Sequence, residues 1–155
     1  MIVDLKQLTS FIAEANQSGY ASGRESSLKK ESDGSRTIIY QSGDWLFSDN
    51  YFGGEPYGGR EVVSYKGQPV FIMTYYGRVS EKDFSEKNIY SFLRKALKLS
   101  PPDYPFRGPR ELILGEMKYE NNWQGDVSYF FGEEKIFIND QEVYNARYVG
   151  GLVDC

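Results

Sequence analysis

The sequence contains no histidine and a single cysteine, Cys155, at its last position. The first absence excludes serine–histidine and cysteine–histidine nucleophiles, histidine-ligated zinc and histidine acid–base chemistry near neutral pH. An enzyme built on this chain has to use carboxylates, lysine, tyrosine or backbone donors. Cys155 closes no internal disulfide, which fits a reducing compartment, and leaves a cross-link between two chains as its only disulfide option. Long apolar runs are also missing, and none approaches the roughly 20 residues of a membrane span. Met1-Ile2-Val3 leads directly into Asp4 and Lys6 without the apolar core of a signal peptide, so a cytoplasmic location and no membrane partner are expected. Basic charge is sparse as well: net charge is −4 and the pI about 5.0. The one basic run, Lys29-Lys30 with Arg24 and Arg36, is interleaved with Glu25, Glu31 and Asp33 and reads as a solvated loop. Nucleic-acid binding is not expected on this balance. No metal-ligand motif or cofactor motif is present either.

What remains is ordinary globular material, with 155 residues, 40% hydrophobic and 26% charged. One domain over residues 1–155 is expected, long enough to bury about 68–70% of the surface its unfolded chain exposes. Leu5, Leu8, Phe11, Ile12 and Ala15 recur at helical spacing, with Asp4 as N-cap and Gly19 as stop. A second helix is expected from about Ser80, where Ser80 and Asp83 have capping-box spacing, to the stop at Ser100-Pro101-Pro102. Residues 37–40, 45–48, 61–65, 69–76, 111–119, 127–131, 135–138 and 142–148 read as strands, with turns at Lys66-Gly67 and Asn139-Asp140. Residues 21–35 read as a loop. The fold class is therefore α+β, with two helices packed on a twisted antiparallel sheet.

Residues 59–77 align without gaps on residues 132–150 at a constant offset of 73, with six identities in nineteen positions. The identities are Gly59/Gly132, Glu61/Glu134, Gln68/Gln141, Val70/Val143, Tyr75/Tyr148 and Gly77/Gly150. Two related hairpin units, about 51–79 and 124–153, are expected on either side of the second helix. This bears on the glycine-rich stretch YFGGEPYGG at 51–59. A phosphate-binding loop runs from a strand into a helix, whereas these glycines run from strand to strand. Gly53-Gly54 and Gly58-Gly59 are expected to supply turns or bulges, and Gly77 and Gly150-Gly151 to end the hairpins.

Several ordered motifs carry a resemblance: Tyr51-x-Gly53-Gly54, Tyr57-x-Gly59-x-Glu61, Met73-x-Tyr75-x-Gly77, Tyr104-Pro105-x-Arg107-Gly108-Pro109, Phe130-x-Gly132-x-Glu134 and Tyr148-x-Gly150-Gly151. Together they resemble a bacterial and archaeal domain family of unknown function, found alone or behind an XRE-type helix-turn-helix in transcriptional regulators. The resemblance covers roughly residues 8 to 153. It implies a compact α+β sensing or effector module and carries no activity. No helix-turn-helix precedes the domain here, so direct promoter contact is not expected.

Six residues form the candidate ligand site: Tyr51, Tyr57, Glu61, Tyr75, Arg107 and Glu134. Arg107, in a proline-rich stretch, is an anchor for a carboxylate or phosphate, and the tyrosines offer flat faces and hydroxyls to a planar ligand. Tyr75 and Tyr76 face opposite sides of a strand, so only one of them lines a given pocket. Glu61 and Glu134 hold equivalent places in the two hairpins and would be the acid–base pair of an enzyme, or the acceptors that fix their own turns. The expected function is non-catalytic binding of a small anionic or nucleotide-like molecule, for sensing or for sequestering a signal. A carboxylate-dependent enzyme and a protein-interaction or homodimer module are the alternatives.

Overall fold

Asp4 starts the first helix as its sequence requires, its side chain accepting hydrogen bonds from the amides of Lys6 (2.8 Å) and Gln7 (3.2 Å). In the computed structural model, which describes residues 2–18 and 28–154, α1 spans Leu5–Ser18 and buries Leu8, Phe11, Ile12 and Ala15. Gly19, Arg24, Glu25, Cys155 and residues 21–27 of the expected loop lie outside the described residues. The second helix, α2, spans Glu86–Leu97 and starts later than its capping-box pattern implies. Ser85 is the cap, its hydroxyl accepting from the Asn88 amide at 3.3 Å. Ser80 is unavailable for that role because its amide donates to the Val143 carbonyl at 2.8 Å, which extends strand pairing instead.

Nine strands follow in antiparallel pairing: β1 (Leu28–Lys30), β2 (Arg36–Ser42), β3 (Trp45–Gly53), β4 (Tyr57–Tyr65), β5 (Gln68–Val79), β6 (Glu111–Leu114), β7 (Met117–Asp126), β8 (Tyr129–Ile138) and β9 (Gln141–Leu152). Their order is β1-β2-β3-β4-β5-β9-β8-β7-β6, so the fold is mostly β, with two helices. Lys29 and Lys30, expected in a loop, form an edge strand, where lysine discourages pairing with other chains. The single strand expected over 111–119 is two, separated by the turn at Gly115 (φ 62°). The two expected over 127–131 and 135–138 are one, because Gly132 continues β8 rather than breaking it.

The two central hairpins have matching backbones. Lys66-Gly67 (φ 50° and 80°) and Asn139-Asp140 (φ 49° and 65°) both have positive φ at the two turn positions, the pattern of a type I′ turn. The register slips between Val63 and Ser64 in one and between Ile136 and Phe137 in the other. β5 and β9 pair with Tyr75 directly opposite Tyr148.

Period-two alternation puts one residue from each strand into cross-strand rows on the buried side of the sheet. In β3-β4-β5 these rows are Phe47-Val63-Phe71, Asp49-Glu61-Met73, Tyr51-Gly59-Tyr75 and Gly53-Tyr57-Gly77. In β7-β8-β9 they are Tyr119-Ile136-Tyr144, Asn121-Glu134-Ala146, Trp123-Gly132-Tyr148 and Gly125-Phe130-Gly150. Gly59 and Gly132 are interior strand residues rather than turn residues. A Cβ on Gly132 would lie 2.3 Å from the Tyr148 ring, and one on Gly59 2.7 Å from the Tyr75 hydroxyl. A tyrosine folded over its cross-strand partner therefore requires glycine there. Gly77, Gly150 and Gly151 likewise lie inside strands, not at hairpin ends.

The apolar cluster joins residues of α1 and α2 to Phe47, Val63, Phe71, Phe130, Ile136 and Tyr144 of the strands. Phe11 of α1 stacks on Tyr40 and Trp45, with ring centroids 5.9 and 5.5 Å apart.

Candidate functional site

Arg107 lies in the segment between α2 and β6 and is buried, with φ of 141°, a region a side-chain-bearing residue rarely occupies. Neighbouring bonds hold it there. Gly108 donates its amide to the Tyr119 hydroxyl (3.0 Å), Asn121 Nδ2 donates to the Gly108 carbonyl (2.9 Å), and Asn16 Nδ2 donates to the Pro105 carbonyl (2.9 Å). The guanidinium then donates from Nε to Glu134 at 2.6 Å and from Nη2 to the Tyr57 hydroxyl at 2.9 Å. Burial works against its charge, but Glu134 and the hydroxyls of Tyr57, Tyr144 and Tyr119 outweigh burial and hold its pKa well above the ordinary value.

Glu134 is fully buried and uses both carboxyl oxygens, one on Arg107 and one accepting from the Tyr119 hydroxyl. Tyr57 and Tyr144 are hydrogen-bonded to each other. Burial first, and then the nearby acids or hydroxyls, push the phenols of Tyr57, Tyr119 and Tyr144 upward. These groups stay neutral and act as donors. An ion pair this deep is stable only if its remaining donors and acceptors are also satisfied, as they are here.

Glu61 has the equivalent position in β4 and a different environment. It is 7% exposed, and among the described residues no hydrogen bond or ion pair reaches its carboxyl. Burial, and then the charge of Asp49 directly opposite on β3, push its pKa up to about 8 against the pull of Arg107. Asp49 accepts from the Tyr75 hydroxyl at 2.5 Å. Burial raises Asp49 to about 6, against the opposing effects of that hydrogen bond and of Arg107. Two adjacent carboxyls without a cation of their own retain a proton near neutral pH.

A cavity of about 530 Å³ opens over this acid pair. Asp49, Glu61, Tyr57, Tyr75 and Arg107 line its buried part, while Arg36, Tyr51, Glu55, Glu86, Lys87, Tyr90 and Arg94 line the more exposed part. Glu55 is engaged, accepting from the Val79 amide and the Tyr90 hydroxyl. A second, water-sized cavity of about 30 Å³ lies behind Glu61, bounded by Phe47, Met73 and Arg107 among others. Of the six residues singled out from the sequence, Tyr51, Tyr57, Glu61, Tyr75 and Arg107 line the large cavity, and Glu134 does not. The two glutamates do not share a cleft; Glu134 pairs with Arg107, which itself lines the cavity beside Glu61. Sequence reasoning missed Asp49, Arg36, Tyr90 and Arg94. Asp49 had a usable signal, as a charged residue at an inward position of the alternating run Phe47-x-Asp49-x-Tyr51.

The chemistry available is polar and proton-bearing. Among the described residues no group of three or more acidic or sulfur ligands is arranged to hold a metal ion, and no helix is long and apolar enough to cross a membrane. No match was found among curated proteins or among solved structures. A family model described as a domain of unknown function (DUF5680) matches residues 49–153, a span that begins at Asp49 and includes Glu61, Arg107 and Glu134.

Proposed function

Because the chain belongs to the DUF5680 family, whose description names no activity, we propose a function from the site itself: non-catalytic binding of a small polar molecule in the 530 Å³ cavity. The observation that carries this reading is Glu61, a carboxyl more than nine-tenths buried, without a hydrogen-bond or ion-pair partner among the described residues, and on the wall of that cavity. Its carboxyl oxygens have no partner among those residues and open on the cavity, so a ligand donor can take them in place of water. The size is right for a ligand of metabolite dimensions, and Tyr51, Tyr57 and Tyr90 supply amphipathic walls. We take the 73-residue correspondence as a true internal repeat, with both helices covering the buried side of the doubled sheet and one copy specialised for the ligand. A role in sensing or sequestering a signal is the function proposed for such a binding module.

A second reading has one observation in its favour. Glu61 and Asp49 stand directly opposite each other on neighbouring strands, and two adjacent carboxyls with raised pKa values are the kind of arrangement general acid–base catalysis uses. In that case the pair is Glu61 with Asp49, since Glu134 has both oxygens engaged.

Thermal-shift and native mass spectrometry measurements against a metabolite extract test the binding reading. A bound molecule at a hundredfold excess over its Kd stabilises the fold by about 2–3 kcal/mol. Glu61→Gln should abolish that gain while the protein stays folded. If no component of the extract raises the melting temperature, the reading fails; if one does and is converted to product by the wild type only, the catalytic reading takes its place.

A further inference from the structure

The charges around the cavity divide by depth. At the floor, Arg107 is already matched by Glu134 at 2.6 Å, so Asp49 and Glu61, 4% and 7% exposed, have no cation of their own. At the rim the imbalance is reversed. Arg36 is half-buried, Lys87 and Arg94 are exposed on α2, and among the described residues none of the three forms an ion pair. Glu55, which accepts from the Val79 amide and the Tyr90 hydroxyl, is one of the two acids on that rim, so the three cations keep a surplus of one positive charge. Glu86, at the start of α2, is the one further acid on that rim.

Resting on the binding reading above, we propose that the ligand is zwitterionic, with a cationic nitrogen group, ammonium or guanidinium, seated between Asp49 and Glu61 and a carboxylate or phosphate held by Arg36, Lys87 and Arg94. The floor supplies what a buried cation needs, which is carboxylate acceptors in a place largely closed to water. The tyrosine walls suit a cation too: Tyr51, Tyr57 and Tyr90 line the cavity, and its buried guanidinium, Arg107, already sits 5.4 Å over the ring of Tyr75. A purely anionic ligand would be held at the rim and would leave Glu61 unsatisfied. A purely cationic one would meet the three rim cations on its way in. Only a molecule carrying both charges in that order matches both ends.

Seating a cation ionises the floor, so binding expels a proton. The groups that face Glu61 are Asp49 from β3, Tyr75 from β5, Arg107 from the connecting segment, Glu134 from β8, and Glu86, Lys87 and Arg94 from α2 across the cavity. Burial first holds Asp49 and Glu61 up near neutrality, at about 6 and about 8.

Calorimetry on the full chain with four probes tests the proposal: 4-guanidinobutanoate and O-phosphoethanolamine as zwitterions with carboxylate and phosphate ends, pentanoate as anion alone, and butylamine as cation alone. At least one zwitterion should bind about tenfold or more tighter than either single-charge probe. Its affinity should rise between pH 6 and 8, with net proton release revealed by the dependence of the heat on buffer ionisation. A preference between the two zwitterions identifies the anionic end as carboxylate or phosphate. Glu61→Gln should remain folded and lose the preference over pentanoate. Arg94→Ala should lose the preference over butylamine. Equal binding of pentanoate and the zwitterions, binding without proton release, unchanged discrimination in Glu61→Gln, or failure of both zwitterions to bind at millimolar concentration each overturns the proposal. If the zwitterions fail while an extract component still raises the melting temperature, this inference falls and the binding reading stands; if the extract also has no effect, both fall.

Discussion

The two halves of the sheet place a glutamate at the same point of the same hairpin and use it differently. In the β7-β8-β9 half, Glu134 sits opposite Asn121, and Tyr148 donates to that asparagine at 2.5 Å. In the β3-β4-β5 half, Glu61 sits opposite Asp49, and Tyr75 donates to that aspartate at 2.5 Å. Each half thus sets a tyrosine, an Asx residue and a glutamate above a glycine that makes room for the tyrosine.

The difference lies in what covers the unit. In the second half the segment from Tyr104 to Arg110 lies over it: Phe106 stacks on Phe130 at 3.8 Å, Arg110 stacks on Trp123 at 3.5 Å, and Asn121 uses its amide on the Gly108 carbonyl. In the first half the corresponding Tyr57 and Tyr51 border the open cavity, and the Asx residue is an aspartate with no backbone carbonyl to meet. Tyr119, which donates to Glu134, corresponds in register to Phe47, which has no hydroxyl to give Glu61. The same scaffold makes a closed ion-pair core on one side and, on the other, an acid that no described residue hydrogen-bonds, facing a cavity. The lesson is that equivalence of position does not carry equivalence of role, and that hydrogen-bond accounting separates the two.

This contrast is easiest to break at the ion pair. Arg107→Met should be the most damaging change, costing about 3–5 kcal/mol by leaving Glu134 buried without its cation, as read by urea denaturation. Glu134→Gln should follow at about 2–4 kcal/mol, since Arg107 then keeps its charge without a carboxylate. By contrast, the matching Glu61→Gln should cost little at pH 6, and comparing the two glutamine variants tests the asymmetry directly.

The effect of Glu61→Gln should also depend on pH, with a sign that follows from the raised carboxyl. The folded chain keeps a proton on Glu61 up to about 8, whereas the unfolded chain gives it up near the ordinary value of 4.5. Wild-type stability contributed by this group is therefore lost as pH rises from about 4.5 to about 8 and stays lost above that. Glu61→Gln carries no such loss, so relative to wild type it should gain about 1–3 kcal/mol between pH 5 and pH 8.5, measured as melting temperature against pH. The smallest expected effect is that of Phe47→Tyr, which gives the first half the hydroxyl the second half has. The cavity of about 30 Å³ between Phe47 and Glu61 has room for it, so the stability change should stay within about 1 kcal/mol. The new donor should lower the Glu61 pKa and weaken ligand binding, both readable by titration.

Much of this architecture is legible in the chain because local rules decide it. Asp4 caps α1, and Lys66-Gly67 and Asn139-Asp140 turn the two hairpins as their residue types require. The rest depends on contacts between distant residues. Ser80 has the pattern of a cap, but Val143, far along the chain, takes its amide into strand pairing. Gly132 reads as punctuation until the Tyr148 ring is seen to lie over it. In the site, the repeated motif singled out Glu61 and Glu134 as a pair, and spacing could not reveal that Arg107 and Tyr119 bind only one of them. Nor could it find Tyr90 and Arg94, whose approach to the cavity is set by how α2 lies against it.

The asymmetry of the two glutamates is tested most directly by carbon-detected NMR titration of the side-chain carboxyls from pH 4 to 9, in wild type and in Glu61→Gln. The account predicts one glutamate carboxyl titrating near 8 in the wild type and missing from the variant, with the Asp49 midpoint staying near 6 in both, because Glu61 is still protonated where Asp49 titrates. A wild-type spectrum with no glutamate titrating above pH 6, or a high midpoint that persists in Glu61→Gln, would contradict it.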